Sequence, residues 1–511
     1  MGTARRYVLR AVMQVTPLEE CRPINSYLGK KKITAMRIFV SLVFFALATI
    51  SSGFAQSGHD ISIKINGYQQ SELYLAYHLG DKQYIRDTIK VGNDGTFHFK
   101  GEGPLEGGVY LVVMAPDNDF FQILVDDKNQ RFSVVTEKDD PASNIKFTGS
   151  QDNSLFYEYL AYINARRPEA ERLGKAIAAA SGADKQKLLT EQEQLNTSVV
   201  DFQKKLVADH PTTLTAAIIK ANLPFDTPDF EGTDDEVQMQ RWRYTQKHYF
   251  DNINLGDSRM LRTPFLFQRV DYFINKLQVQ HPDTMALAVD YVLEKMEPAE
   301  ETFKFFLVHY LNEYAKSKIV GMDAAYVHLV DNYYRSGKAS WTDEESLKKI
   351  LESADKLKPL LIGKIAPDIE MKKKDGSKIR LHDVDSDYTI LYFWRYDCGH
   401  CKESTPHMKA FYEKFKDKGV KLFAVCTKFT DEVKGCWEYI DENGIQDWLH
   451  TVDPYHQSRF SKLYDIRSTP QVYVLDNKKE IISKRIGADQ LEELMNRILE
   501  QKANEGVGSD E

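Results

Sequence analysis

Thr389-Ile-Leu-Tyr-Phe-Trp394, running into Arg395-Tyr-Asp-Cys398-Gly-His-Cys401, is the stretch that decides how this chain folds. The first six residues are an unbroken apolar and aromatic run, the composition of a strand buried on both faces. From Cys401 the period changes, with Met408, Phe411, Tyr412 and Phe415 at helical spacing. Cys398 is therefore expected at a helix N-terminus, where unpaired backbone N–H groups and the macrodipole favour an anion. A thiolate is such an anion, and it is the attacking species in disulfide exchange. The pattern points to thiol–disulfide chemistry.

Working outward, 511 residues are too many for one core and suggest about three domains. Charged residues make up 28% and the net charge is −8, which gives no electrostatic case for binding nucleic acid. Ile38 to Ile50 is an apolar run behind Lys30, Lys31, Lys32 and Arg37, and Gly53-Phe54-Ala55 follows as a small-x-small site. This predicts a secretory signal over 36–55 opened by Met36, with 1–35 an over-extended or disordered start. The run is short for a membrane helix, so no stable span is expected after cleavage; an uncleaved signal-anchor is the alternative. Cleavage after Ala55 removes Cys21 and leaves Cys398, Cys401, Cys426 and Cys436, all in the last quarter of the chain. That is chemistry concentrated in one module, unlike a disulfide scaffold with bridges throughout.

Residues 57–150 predict a β-sandwich-like domain. Ile61 to Ile65, Leu73 to Tyr77, Thr88 to Val91 and Thr96 to Phe99 are strand-like, with Asn93-Asp94-Gly95 as a hairpin turn. Val109 to Met114, Phe120 to Val125 and Arg131 to Thr136 continue the series. Residues 152–357 predict an α-helical domain, broken at Ser181-Gly182 and rich in packing aromatics such as Phe303, Phe306, Tyr310 and Tyr314. Residues 358–501 predict an α/β unit: after the helix that follows the cysteine pair, Val420 to Cys426 forms a second buried strand through a βαβ crossover. A hairpin (Gln471 to Leu475, Ile481 to Ile486) and a helix from Gln490 to Gln501 complete it, and 502–511 reads as a disordered tail.

A βαβ unit, a hairpin and a terminal helix, with CxxC opening the first helix, resemble the thioredoxin fold. Phe393-Trp394 before the pair, Pro406 five residues after Cys401, and Thr469-Pro470 ahead of the hairpin strengthen the likeness. Ala366-Pro367-Asp368 and the Lys374-Asp375-Gly376 turn are similar to the secreted TlpA/ResA branch with its AhpC/TSA-like domain. The resemblance covers about 140 residues; upstream, the chain looks like envelope modules without known mechanism. It implies Cys398 as nucleophile, Cys401 as the resolving thiol, and a redox-active Cys398–Cys401 disulfide. It also implies Trp394, Thr469 and Pro470 (at the family's cis-proline position) as substrate contacts. His400 is expected to stabilise the Cys398 thiolate, and Gly-His is the dipeptide of protein disulfide isomerases. Their potential is about −180 mV, against about −270 mV for thioredoxin.

Two departures bear on proton transfer. Thioredoxin's buried acid is replaced by Tyr392, and the branch's usual Glu three residues after the second cysteine is replaced by Ser404. Glu403, Asp397 and water are the remaining acceptors for the Cys401 proton. A purely structural disulfide in so small a loop would contribute only about 2 kcal/mol. A zinc site would need a second pair, and Cys426 and Cys436 are ten apart, so no metal and no organic cofactor is expected. A thiol peroxidase is disfavoured by Arg395 three residues before the nucleophile. Cys426 is read as a small buried hydrophobe, with a Cys426–Cys436 disulfide left open.

The chain is thus expected to be a periplasmic or secreted oxidoreductase that reduces or isomerises disulfides of envelope proteins, recharged by a membrane thiol donor. An oxidase of the same chemistry is one alternative. A partner-binding adaptor with a redox-sensing pair is the other.

Overall fold

The computed structural model describes residues 58–225 and 227–507. The expected signal segment, with the rest of residues 1–57, and residues 508–511 lie outside them. The chain divides into two compact units: residues up to 273 with 295–302, and residues 274–294 with those from 303 on. The helical stretch is therefore shared between the two.

In the first unit, eight strands form two four-stranded sheets. They are β1 (His59–Asn66), β2 (Glu72–Leu79), β3 (Lys82–Lys90), β4 (Phe97–Gly101), β5 (Gly108–Met114), β6 (Asp119–Val125), β7 (Arg131–Glu137) and β8 (Lys146–Thr148). The sheet orders are β4-β1-β7-β8 and β3-β2-β5-β6. Alternation builds the shared core: Ile61, Ile63 and Ile65 of one sheet meet Leu73, Leu75, Tyr110 and Val112 of the other. The turn at 93–95 forms, closed by the Gly92 and Gly95 amides, but it joins strands of different sheets. Only Val91 and Phe97 bridge across it, so the expected hairpin is a sheet-to-sheet corner.

Two long helices, Gln151–Ala179 and Gly182–Asp209, follow and break at Ser181. They run antiparallel: Tyr162 stacks on Phe202, Gln203 bonds Tyr159, and Arg172 pairs with Glu191. Asp152 begins this array by accepting the backbone N–H groups of Leu214 and Thr215.

The second unit holds the α/β module. Its seven strands are β9 (Glu370–Lys372), β10 (Lys378–Arg380), β11 (Tyr388–Trp394), β12 (Val420–Cys426), β13 (Leu449–Val452), β14 (Gln471–Leu475) and β15 (Ile481–Lys484). Their order is β10-β9-β13-β12-β11-β14-β15. β11 is central, parallel to β12 and antiparallel to β14, and all seven of its residues are buried. Its Ile390, Tyr392 and Trp394 face the cluster containing Cys401, Met408 and Phe411. Leu391 and Phe393 face the one containing Phe460, Tyr464 and Tyr473. The terminal helix runs Leu491–Val507, so residues 502–507 continue it and are no tail. Among the described residues no helix is long and apolar enough to cross a membrane.

Candidate active site

β11 ends at Trp394 and the helix Gly399–Phe415 begins five residues later, with Cys398 as its N-cap. The loop between them is clamped from the side. A Cβ at Gly435 would stand 2.6 Å from the Tyr396 ring, so only glycine lets that ring pack against the Val433–Asn443 helix. Lys428 lies over the same ring and binds Asp397 at 2.9 Å and Glu432 at 2.9 Å.

The two thiols are free, and their surroundings differ. Cys398 is half-buried, while Cys401 is 1% exposed. The Cys401 backbone N–H donates to Cys398 Sγ at 3.4 Å, as an N-cap acceptor requires, and the Cys398 thiol donates to the Thr469 carbonyl at 3.2 Å. Burial by itself would raise the Cys398 pKa. Hydrogen bonds from the side chain and backbone N–H of Cys401 and from the Thr469 side chain, with the Arg395 charge, outweigh it and hold this thiol below its ordinary value. Cys401 is pushed up to about 12, chiefly by burial. One thiol is thus prepared to ionise and the other to stay protonated.

Thr469 and Pro470 are brought to the pair, and their peptide bond is cis. Four residues are placed otherwise than expected. Trp394 is 1% exposed, packed between Tyr439 and His450, and presents no surface to a substrate. Strand alternation is the reason: Trp394 shares the inward face of Tyr392 beneath the cysteine helix. His400, 83% exposed, binds Glu403 at 3.1 Å, with no hydrogen bond to Cys398. At the second position of the helix, two residues after the cap, the His400 side chain points into solvent. Glu403 is thereby spent on His400, and Asp397 on Lys428 and Arg395, so neither carboxylate is placed on Cys401.

Cys426 and Cys436 are disulfide-bonded, with Cα atoms 6.5 Å apart. Cys426 ends β12 opposite Trp394, and the Val433–Asn443 helix returns Cys436 over it. Cys426 is buried as expected, but bonded. Spacing marked Arg395 only as an argument against a peroxidase and did not mark Lys428, since the first acts on Cys398 through its charge alone and the second through Asp397, distant from it in sequence.

A buried polar layer lies under the pair. Tyr392 Oη, Trp394 Nε1, Trp448 Nε1 and His450 Nδ1 have no protein partner. His450 Nε2 donates to the Ile445 carbonyl at 2.7 Å, and burial lowers its pKa to about 4. The unfolded chain would titrate this group near 6.5, so as pH falls from about 6.5 to 4 the unfolded state gains a proton that the folded state refuses. Stability is full above that window and lost through it, by about 2 kcal/mol at pH 5. His450→Gln should flatten the pH dependence of the urea midpoint between pH 7 and 5; an unchanged slope would count against this assignment.

Residues 362–484 match the AhpC/TSA family. The chain is 30% identical to thiol-disulfide oxidoreductase ResA of Oceanobacillus iheyensis over 148 residues, 28% of this chain and 74% of the relative. The chain belongs to the ResA-like thiol–disulfide oxidoreductases. A second relative of that description, from Bacillus thuringiensis, is 29% identical, covering 28% of this chain and 78% of the other. Among solved structures, a domain of a possible thiol-disulfide isomerase from Cytophaga hutchinsonii is 36% identical, covering 29% of this chain and 98% of that one, with TM-score 0.27. Upstream, residues 59–156 and 233–357 match domains of unknown function, DUF4369 and DUF5106. The ResA-like likeness thus belongs to the second unit's α/β module.

Proposed function

We propose that the chain is a periplasmic or secreted reductase or isomerase of disulfides in envelope proteins, acting through Cys398 and Cys401. The asymmetry of the pair carries this reading: one accessible thiol of lowered pKa beside a buried one of raised pKa. The Cys398 thiolate attacks a substrate disulfide; one Cys398–substrate bond forms and the first substrate sulfur leaves as a thiolate, taking a proton from water. Cys401, deprotonated to water once the neighbouring charge is consumed, attacks Cys398 Sγ. The second substrate sulfur leaves, Cys398–Cys401 forms, and two electrons have passed to the substrate. A dithiol donor at the membrane restores the pair. Thr469 and Pro470 position the substrate chain, and His400 with Glu403 forms the charged rim.

Equilibration with glutathione tests the direction. A potential between about −180 and −270 mV is expected, and a value near −120 mV would establish the oxidase instead.

A further inference from the structure

Cys426 and Cys436 take no part in the exchange described above, yet their bond closes a segment that holds the exchange loop from the side. Cys426 is the last residue of β12 and pairs in register with Trp394, the last of β11. Just beyond it, the Thr427 N–H and hydroxyl both donate to the Trp394 carbonyl, at 2.8 and 3.3 Å. Lys428 shares the Asp397 carboxylate with Arg395, which reaches it at 3.2 Å. Glu432 holds Lys428 in place, and Gly435 seats the Tyr396 ring. Residues 394, 396 and 397 are thus gripped from within the ten-residue separation that the disulfide spans.

The bond supplies what packing does not. None of residues 427–432 is buried, so few apolar contacts hold this segment in place. The helix Val433–Asn443 that follows buries Val433, Cys436 and Ile440. Cys436 is the middle residue of that stripe, and its sulfur ties the helix to β12. Three residues on, Tyr439 packs against Trp394 and donates to Thr405 Oγ1 at 3.1 Å, which in turn donates to the Cys401 carbonyl at 2.9 Å. One helix therefore touches both the loop before Cys398 and the turn that carries Cys401.

Cys426 is 2% and Cys436 0% exposed, so neither sulfur offers a face to a substrate. We infer that the Cys426–Cys436 disulfide is a positioning bond for the exchange site: it fixes the segment that grips residues 394–397 and so keeps Cys398 in the helix-cap geometry from which it attacks. This rests on the exchange function proposed above. Opening the bond frees the segment and withdraws Lys428 from Asp397. That carboxylate then falls wholly to Arg395, whose charge otherwise favours the Cys398 thiolate. Cys398 keeps its sulfur and loses part of its ionisation at neutral pH.

The test is the pH profile of Cys398 alkylation by iodoacetamide, read by peptide mass on the full chain. Limited dithiothreitol first brings Cys398 and Cys401 to thiols while Cys426–Cys436 stays bonded, as in the structure. Cys426→Ala with Cys436→Ala should raise the midpoint of the profile by about one pH unit, a loss of rate of about tenfold well below the midpoint. At high pH, where the thiol is ionised in both chains, the rates should agree within about threefold. A merely looser fold would instead expose Cys398 and raise its rate at every pH. Gly435→Ala, with the disulfide intact, unseats the Tyr396 ring and should move the midpoint in the same direction. An unchanged midpoint in the double variant, shown to be folded by its urea transition, would overturn the inference. Should that variant not fold, Gly435→Ala decides, and an unchanged midpoint there overturns it. A wild-type chain inert toward bis(2-hydroxyethyl) disulfide would instead overturn the exchange function itself, which the alkylation profile does not depend on.

Discussion

Cys401→Ser should arrest the chain as covalent complexes with its substrates, joined through Cys398. The first attack needs only the Cys398 thiolate, which survives the substitution, whereas release needs a thiol where serine now stands. Non-reducing electrophoresis of envelope extracts should show adducts of this chain that collapse under dithiothreitol. Turnover should fall by about a thousandfold or more, since the hydroxyl cannot displace a thiolate. Cys398→Ser should form no adducts, because the remaining thiol is buried and held at about 12. In the unmodified reduced protein, iodoacetamide at pH 7 should label Cys398 and spare Cys401. Equal labelling, or adducts that persist in Cys398→Ser, would remove the division of labour between the two sulfurs.

Asp323→Ala should destabilise the second unit by about 3–5 kcal/mol, the cost of leaving a buried charge without its partner. Lys484 is the charge in question. Burial pushes its pKa down and Asp323 opposes that shift. Removing the carboxylate leaves the ammonium with the Leu360 carbonyl, which offers a dipole in place of a charge. The double variant Asp323→Leu with Lys484→Met should recover most of the loss, because an apolar pair of similar volume pays no desolvation. Urea unfolding of the single and double variants checks this. A single variant within about 1 kcal/mol of the parent, the range of exposed pairs, would show that the ion pair is solvated.

Much of the module was legible from local pattern. The apolar run before Cys398 is β11, the period change after Cys401 is the cysteine helix, and Val420 to Cys426 is the parallel neighbour strand. Seven of the eight sandwich strands follow from alternation, β8 being three residues long. The hairpin at 93–95 misled because a turn signal specifies a reversal of the chain and is silent on which sheet receives each arm. At the site, the cysteines and the Thr469-Pro470 step were legible. His400, Trp394 and the two carboxylates were not, because their partners depend on side-chain direction and on residues such as Lys428 that converge from another element.

Chain order alone determined that a cysteine would cap a helix behind a buried strand, since secondary structure and capping are set by neighbours a few residues away. It thereby determined the chemistry. Only the tertiary structure decided that Cys426 meets Cys436, that His400 turns to Glu403, and that helices some forty to eighty residues upstream of the cysteine pair stand beside the α/β module. Burial and through-space pairing arise from segments distant along the chain, and no local spacing encodes where those segments meet.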